Sequence, residues 1–244
     1  MSNTGTLRIY SDQATLAEML AYDVITYLRA MQEEGREAFI ALSGGSTPTL
    51  LFREMAKLQP SVNWDQVRFF WVDERCVPPD HPESNFGVAK REFLDPLGIP
   101  GSSYHRIRGE DDPADEARRY SDLIMDTVSP EMTFPVFDRI FLGMGADGHT
   151  ASIFPHEIAL WNEEKLCAVG THPGSGQKRI TFTGHLINAA SRVTFLVSGK
   201  EKQPVVEQVI RATGDHASFP ASLVKPHNGE LEWYIDREAA GTLK

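Results

Sequence analysis

The sequence predicts an α/β fold, with a doubly wound, mostly parallel sheet and helices on both faces. Short apolar runs of strand type alternate with helical segments along the 244 residues, which is typical of parallel sheets covered on both sides. Polar stretches, most of them with glycine, follow the apolar runs. The composition, 41% hydrophobic and 24% charged, is that of an ordinary globular protein. We expect one domain over residues 1–244.

The first element is predicted to be a helix over residues 12–34. Apolar side chains recur there at the spacing of one helix face; they are Leu16, Met19, Leu20, Val24, Tyr27, Leu28 and Met31. The predicted strands that follow are Ala38–Leu42, Val67–Val72, Arg139–Leu142, Leu166–Val169 and Val193–Val197. Helices are predicted between most of them, at about Pro48–Lys57, Ser84–Leu94, Asp112–Val128 and Glu201–Ala212. A small subdomain or an antiparallel edge is expected around residues 155–190.

The loops after the predicted strands are the expected place for a ligand. In an open parallel sheet, ligands bind outside the carboxyl ends of the strands. Glycines and small polar residues are common in any such turn, but they do not explain the cations and the histidine found here. The side chains expected to meet in one crevice are Ser46, Thr47, Asp73, Arg75, His149, Arg179 and Lys200.

The stretch "LSGGSTP" after the first of these strands is suited to an anion or a sugar hydroxyl. Gly44 and Gly45 let the backbone turn sharply and approach a ligand. Ser46 or Thr47 can cap the next helix, and a helix N-terminus with free N–H groups favours anions. An ordinary strand-to-helix turn is the equally weighted alternative. The order of residues is not that of a P-loop.

The stretch "VDERCVPPDHPESN" places two carboxylates and a cation at a strand end. Because adjacent residues of an extended segment point in opposite directions, Asp73 and Arg75 are both expected to face the crevice. Glu74 is then expected to pack or pair elsewhere. The alternative is a solvated charge cluster.

The stretch "GMGADGHTASIFP" contains Gly-x-Gly-x-x-Gly, but it lacks the rest of a dinucleotide fingerprint. That fingerprint needs a long following helix and an acid that ends the next strand. Here Pro155 cuts the helix short, and the next strand ends without an acid. An NAD-binding enzyme is therefore disfavoured.

A histidine in this same turn is the candidate general base. The pKa of a histidine suits proton transfer near neutral pH, and a carboxylate that accepts its other N–H would fix its tautomer. His149 is therefore predicted to be catalytic. Asp147 and Asp73 both remain candidates for the orienting carboxylate.

Two further cations are candidates for binding an anion. Lys200 begins a predicted helix, where the helix dipole disfavours a cation unless an anion shares the site. Arg179, in "QKRIT", offers a bidentate contact to a phosphate. The alternative is that both are surface cations.

The composition and the absence of certain motifs argue against several classes of protein. The net charge of −10 argues against broad binding of nucleic acid or membranes, and no apolar run is long enough to span a bilayer. Cys76 and Cys167 form no CxxC pair, so a reduced cytoplasmic setting is expected; the first residues do not read as a secretory signal. No zinc-type spacing, HExxH or GxSxG motif occurs. The residues alone predict metal-free general-base chemistry on a phosphorylated small molecule.

The motifs "SGGSTP", "DERCVPPDHPESN", "GMGADGHTASIFP", "QKRITFT" and "PASLV" occur in order between residues 39 and 236. Together they resemble the glucosamine-6-phosphate isomerase/6-phosphogluconolactonase family, and within it the 6-phosphogluconolactonases. The resemblance implies a Rossmann-like fold and hydrolysis of 6-phospho-D-glucono-1,5-lactone in the oxidative pentose phosphate pathway. It also implies no cofactor and no metal. The partner is then a phosphorylated sugar lactone; the sequence leaves monomer and homodimer open.

One departure separates the two activities of this family. Deaminases typically read "DGHIAFNEP" at this turn, with a glutamate in a proton relay, whereas the corresponding position here is Phe154. The lactonase is therefore favoured over the deaminase. A non-catalytic sugar-phosphate sensor is the third alternative, and it usually carries a helix-turn-helix module for which about 35 residues leave little room.

The resulting hypothesis divides the crevice into two ends. Lys200, Arg179 and the turn 44–47 bind the phosphate, and this remote binding holds the lactone carbonyl near His149. His149 activates water and then protonates the ring oxygen. Arg75 or backbone N–H groups of the 143–148 loop are the candidate oxyanion donors.

Overall fold

The structure is a computed structural model that describes residues 5–58, 62–129 and 134–243. Its strands are β1 (Thr6–Tyr10), β2 (Ala38–Leu42), β3 (Val67–Trp71), β4 (Asp73–Arg75), β5 (Arg139–Leu142), β6 (Cys167–Thr171), β7 (Lys178–Phe182), β8 (Arg192–Val197) and β9 (Glu230–Asp236). Its α-helices are α1 (Gln13–Glu33), α2 (Ser46–Lys57), α3 (Asn85–Ala89), α4 (Pro113–Thr127), α5 (Gly184–Ala189), α6 (Gln203–Arg211) and α7 (Arg237–Ala240). Shorter 3₁₀ segments connect several of them, including Pro155–Asn162, Lys200–Lys202 and Pro220–Leu223.

Six of the described strands form a parallel sheet in the order β1-β9-β8-β5-β2-β3. Its central strands are apolar along nearly their whole length because helices cover both faces; the four residues of β5, for example, are all buried. The predicted α/β class with a mostly parallel sheet is confirmed. The edge strand β1 and its neighbour β9 were not predicted from the sequence.

A second, antiparallel sheet has the order β4-β7-β6. Val72 joins the two sheets: its N–H donates to the carbonyl of Leu42 at 2.9 Å, and its carbonyl accepts from the N–H of Phe182 at 2.7 Å. The small sheet is therefore attached at the carboxyl end of β3. The antiparallel element expected around residues 155–190 is confirmed.

One prediction about this region is wrong. The loop after the predicted strand Leu166–Val169 was expected at the carboxyl edge of the parallel sheet, but that strand forms β6 of the antiparallel sheet. The stretch "THPGSGQKR" thus contains the end of β6, the hairpin connection over residues 172–177 and the start of β7, and it does not lie at the carboxyl end of a parallel strand. A short apolar run has no periodicity that distinguishes these two environments.

The first helix follows its sequence pattern closely. Asp12 caps α1, since its carboxylate accepts a hydrogen bond from the N–H of Thr15 at 2.8 Å. Leu16, Leu20 and Leu28 are buried, as predicted, but Met19 is 45% exposed. Met19 lies at the edge of the apolar stripe, where the helix faces solvent.

The helix predicted over residues 84–94 is shorter than expected. The α-helix ends at Ala89, and the chain continues as a π-helical turn over Lys90–Leu94. The remaining predicted helices differ at their ends: α2 begins two residues earlier, at Ser46, and the last one starts as the 3₁₀ turn Lys200–Lys202 before α6.

The amino ends of the central strands carry a buried ion-pair network. Arg139 is fully buried; it donates to Asp23 at 2.6 Å, to Glu232 at 2.9 Å and to the hydroxyl of Thr194 at 2.9 Å. A buried charge is tolerated when partners of opposite charge and hydrogen bonds satisfy it. This network therefore belongs to the framework. Across the described residues, no helix is long and apolar enough to cross a membrane.

Candidate active site

The strand order creates a crevice between β2 and β5. The chain leaves β2 toward β3 on one side, whereas β5 continues toward β8 and β9 on the other. At such a reversal the two loops diverge and leave room for a ligand. A cavity of about 190 Å³ lies there. Its lining residues are Ser43, Gly44, Gly45, Asp73, Arg75, Asn85, Gly143, Met144, Gly145, His149, Ala151, Arg179 and Lys202.

The turn after β2 supplies one wall of the cavity. Gly45 precedes α2 and has a φ of 115°, a conformation that L side chains rarely adopt. Gly44 and Gly45 of this turn both line the cavity. The predicted hydroxyls lie differently. Ser46 is exposed, and the buried Thr47 exchanges a 2.8 Å hydrogen bond with Ser198, which ties α2 to the loop after β8.

The three residues of β4 alternate as the sequence indicates. Asp73 and Arg75 line the cavity, and Glu74 is buried on the other side. The carboxylate of Asp73 accepts a 2.6 Å hydrogen bond from the hydroxyl of Ser152. The carboxylate of Asp73, one of the two candidates for orienting His149, therefore has Ser152 as its hydrogen-bond partner.

Two arginines lie directly opposite each other in the small sheet. Arg75 of β4 and Arg179 of β7 are register partners, and side chains at such positions are about 5 Å apart at Cβ. Each has a buried Nε for which the described residues offer no hydrogen-bond partner. Burial, and then the positive charge of Arg75, lowers the pKa of Arg179. Two like charges held together with free donors indicate a site for an anion.

His149 is paired with the carboxylate two residues before it. Its Nδ1 lies 2.6 Å from Oδ1 of Asp147, and the same oxygen accepts the N–H of His149 at 3.2 Å. Gly148, with a φ of 82°, makes this tight turn possible. Partial burial of the Asp147 carboxyl opposes its ionisation, but the hydrogen bond and charge of His149 outweigh that effect and lower its pKa to about 2. Of the two acids left open by the sequence, Asp147 is the one that contacts His149.

The aromatic residue after this turn supports the imidazole. Phe154 is buried, and its ring centroid lies 4.8 Å from that of His149 and 5.4 Å from that of His172. Phe154 lies at the position where the deaminases of the resembled family typically have the glutamate of a proton relay. Within the described residues, no three His, Cys, Asp or Glu side chains gather in a way that could hold a metal ion.

The lysine at the cavity is not the one predicted. Lys200 is exposed at the start of the 3₁₀ turn Lys200–Lys202 and is not among the cavity-lining residues, whereas the partly buried Lys202 is. Lys200 was predicted because the helix dipole disfavours a cation at a helix N-terminus unless an anion is bound there. In the structure, this first position of the turn faces solvent. The motif "SGKEK" contained both lysines, but its local pattern could not select between them.

Sequence reasoning also missed residues without an ionisable side chain. Asn85 donates from Nδ2 to the carbonyl of Asp73 at 3.0 Å, and its Oδ1 packs on Gly44 so closely that a Cβ there would lie 1.8 Å away. A Cβ on Gly143, in contrast, would meet nothing within 4 Å, because the glycine borders the open cavity. The "SN" that ends the second motif was the available signal for Asn85.

Comparison with known proteins agrees with this arrangement. The model of the family described as glucosamine-6-phosphate isomerases/6-phosphogluconolactonase matches residues 11–233. The chain belongs to this family. It is 49% identical to the 6-phosphogluconolactonase of Treponema pallidum over 75% of each chain, and 39% identical to that of a Nostoc species over 98% of each. The crystal structure of devB protein superimposes with a TM-score of 0.88 at 38% identity, covering 98% of this chain and 99% of that one.

Proposed function

We propose that this chain hydrolyses 6-phospho-D-glucono-1,5-lactone to 6-phospho-D-gluconate. The relatives carry the name of this activity at up to 49% identity. The observation that carries the proposal is the cavity itself, which is lined by a carboxylate-paired imidazole and by the cations Arg75, Arg179 and Lys202. One end suits proton transfer, and the other suits a phosphoryl group.

The phosphoryl group is bound between the arginine pair and the lysine. A phosphate monoester carries about −1.5 to −2 charges at neutral pH; the positively charged side chains of Arg75 and Arg179 line the cavity on one side of it, and Lys202 neutralises it from the loop after β8. The glycine turn 44–45 and the N-terminus of α2 add backbone N–H donors. Since Arg75 is in register with Arg179, we now assign it to the phosphate instead of the oxyanion.

His149 then acts as the general base. With Nδ1 held by Asp147, Nε2 is left to take a proton from the attacking water, as the water oxygen bonds to the lactone carbonyl carbon. The same nitrogen returns the proton to the ring oxygen as the C–O bond breaks. The negative charge that develops on the carbonyl oxygen faces the backbone of Gly143 and Met144 at the end of β5. No metal and no cofactor takes part in this scheme.

The alternative in the same family is an isomerase or deaminase of glucosamine 6-phosphate. That reaction was expected to need a carboxylate relay next to the histidine, and Phe154 packs there instead. A phenyl ring accepts no proton, which favours the lactonase. Release of ammonia from glucosamine 6-phosphate would decide for the alternative.

We also propose that residues 1–244 form one sugar-phosphate-binding domain. A continuous cluster of buried hydrophobic residues lies beneath both sheets in the described part of the chain. The two sheets share the backbone hydrogen bonds of Val72. Cooperative unfolding with a single transition would support this proposal, and two separate transitions would contradict it.

The decisive experiment measures lactone hydrolysis in a pH-stat against the spontaneous rate. His149→Ala is expected to lower kcat by about 10²–10⁴-fold with little change in KM, because a general base acts in the transition state. An unchanged kcat would remove His149 from the chemistry.

A matched pair of lysine variants tests the phosphate end. Lys202→Ala is expected to raise KM for the phosphorylated lactone by roughly 10–100-fold, the loss of a charged hydrogen bond of about 1.5–3 kcal/mol. Lys200→Ala, two residues away and exposed, is expected to leave KM unchanged. Equal losses on unphosphorylated gluconolactone would show that Lys202 does not bind the phosphate.

A further inference from the structure

The buried carboxylate of Glu74 has no part in the chemistry proposed above, yet it accepts four hydrogen bonds. Oε1 accepts from the N–H groups of Arg75 and Asn85, each at 2.8 Å. Oε2 accepts from the N–H of Phe86 at 2.8 Å and from the hydroxyl of Ser84 at 3.0 Å. The residue is 2% exposed. It therefore joins β4 to the turn 83–86 at the start of α3.

This carboxylate is satisfied by neutral donors. Its four hydrogen-bond donors are three backbone N–H groups and one hydroxyl, and the nearby positive charge of Arg179 also favours its ionised form. Burial raises the pKa of Glu74, and the backbone and hydroxyl donors partly oppose this rise. Removal of an acceptor here would leave several buried N–H groups unpaired, which is costly. The arrangement therefore holds the turn in one position.

The same turn also holds the guanidinium of Arg75. Nη1 of Arg75 donates to the carbonyl of Glu83 at 2.8 Å, while its Nε remains free. The backbone of Arg75 is fixed from the other side by Gly109, where a Cβ would lie 2.3 Å from the Arg75 carbonyl oxygen. With the strand held in place, the direction of the guanidinium depends on where the turn presents the carbonyl of Glu83.

We propose that Glu74 is a positioning residue, which aims Arg75 at the phosphoryl group by fixing the turn 83–86. The inference rests on the proposed function, in which Arg75 binds the phosphate. Arg75 lines the cavity while its Nη1 is held by the carbonyl of Glu83, so the binding end of the cavity is formed before the ligand arrives. Such preorganisation reduces the entropy lost on binding.

A double-mutant cycle with Arg75 tests this role. Glu74→Gln is expected to raise KM for the phosphorylated lactone by about 10-fold, within the range of a lost charged hydrogen bond. The effect on unphosphorylated gluconolactone, and on kcat, is expected to be small. In an Arg75→Ala background, the added effect of Glu74→Gln should fall below about twofold, since residues that act through one another are not additive.

The outcomes separate the inference from the proposed function. If Arg75→Ala itself leaves KM unchanged, the phosphate assignment is wrong. If Arg75→Ala raises KM but Glu74→Gln does not, or if Glu74→Gln raises KM equally in both backgrounds, the positioning role of Glu74 is wrong. Glu232→Gln is the matched control, because Glu232 is another buried, hydrogen-bonded carboxylate at the opposite end of the sheet. It should lower stability without changing KM.

A second variant covers the case in which Glu74→Gln does not fold. Ser84→Ala leaves the carboxylate in place and removes one of its four donors. It is expected to raise KM for the phosphorylated lactone by a few fold in the wild-type background and to have no further effect with Arg75→Ala. Wild-type KM in a folded Ser84→Ala protein would overturn the inference.

Discussion

A single added methyl group should separate His149 from its carboxylate without removing either side chain. A Cβ on Gly145 would lie 2.1 Å from Nδ1 of His149 and 2.3 Å from Oδ1 of Asp147. Cβ atoms essentially never approach heavy atoms within 3.0 Å. The backbone of Gly145 is not in the left-handed region, so alanine is allowed there. Gly145→Ala therefore forces the imidazole or the carboxylate to move.

The expected loss of catalytic rate follows from the displacement of the imidazole. The imidazole must shift by about 1 Å to reach an ordinary contact, and a misplacement of that size can cost about 10²-fold in rate. The fold should survive, because the side chains of His149 and Asp147 are 30% and 45% exposed and can move into solvent. We expect a loss of stability near the lower limit of about 1–3 kcal/mol for overpacking.

The assay compares kcat, KM and thermal unfolding for Gly145→Ala with those for Gly101→Ala. Gly101 is the matched control, because a Cβ there would meet only Tyr104, at 3.7 Å. The expected result is about a 10²-fold lower kcat for Gly145→Ala, an almost unchanged KM, and wild-type kinetics for the control. A folded Gly145→Ala protein with wild-type kcat would refute the assignment of the Asp147-paired imidazole as the base.

Three further variants or measurements test other parts of the structure. Because the folded-state pKa of Asp147 is lowered from 3.8 to about 2, its contribution to stability is present above pH 4 and lost as the pH falls toward 2. Thermal unfolding of wild type and Asp147→Asn should thus differ above pH 4 and converge near pH 2, whereas a constant difference would contradict the pairing with His149. Arg139→Met removes the fully buried partner of Glu232, while Arg8 and Arg192 remain within 4 Å of that carboxylate, so it should cost at most about 3–5 kcal/mol in urea unfolding, with kcat unchanged; a changed kcat would mean that the network reaches the active site. Burial raises the pKa of Cys167 to about 12, so native protein at pH 8 should resist iodoacetamide at this thiol and react only on unfolding, and rapid native labelling would disprove that burial.

The sequence located most of the parallel sheet because its strands are buried on both faces. The runs Ala38–Leu42 and Arg139–Leu142 match β2 and β5, since continuous apolar segments between helices have few other places in an α/β fold. The edge strand β1 escaped prediction because its side chains are mostly not buried. The loop after Leu166–Val169 was expected at the wrong edge, because pairing direction is decided by partners far away in the sequence.

In the candidate site too, some features could be predicted from the sequence and others could not. The sequence predicts those parts of the site that depend on neighbouring residues. The turn of Asp147-Gly148-His149 is such a short-range arrangement, and the alternation within Asp73-Glu74-Arg75 follows from the geometry of an extended chain. The choice of Lys202 over Lys200 was not readable, because it depends on the direction in which a 3₁₀ turn faces the loop after β2.

Local patterns of residues show which groups are available: a histidine with a neighbouring acid, several cations after strands, and a glycine turn before a helix. Which of these groups meet depends on how distant segments pair in the fold. The antiparallel pairing of β4 with β7 sets Arg75 opposite Arg179 across about 100 residues of chain, and the reversal of strand order between β2 and β5 opens the crevice they border. Both depend on which distant strands pair with each other, and a short apolar run carries no periodicity that identifies its partner.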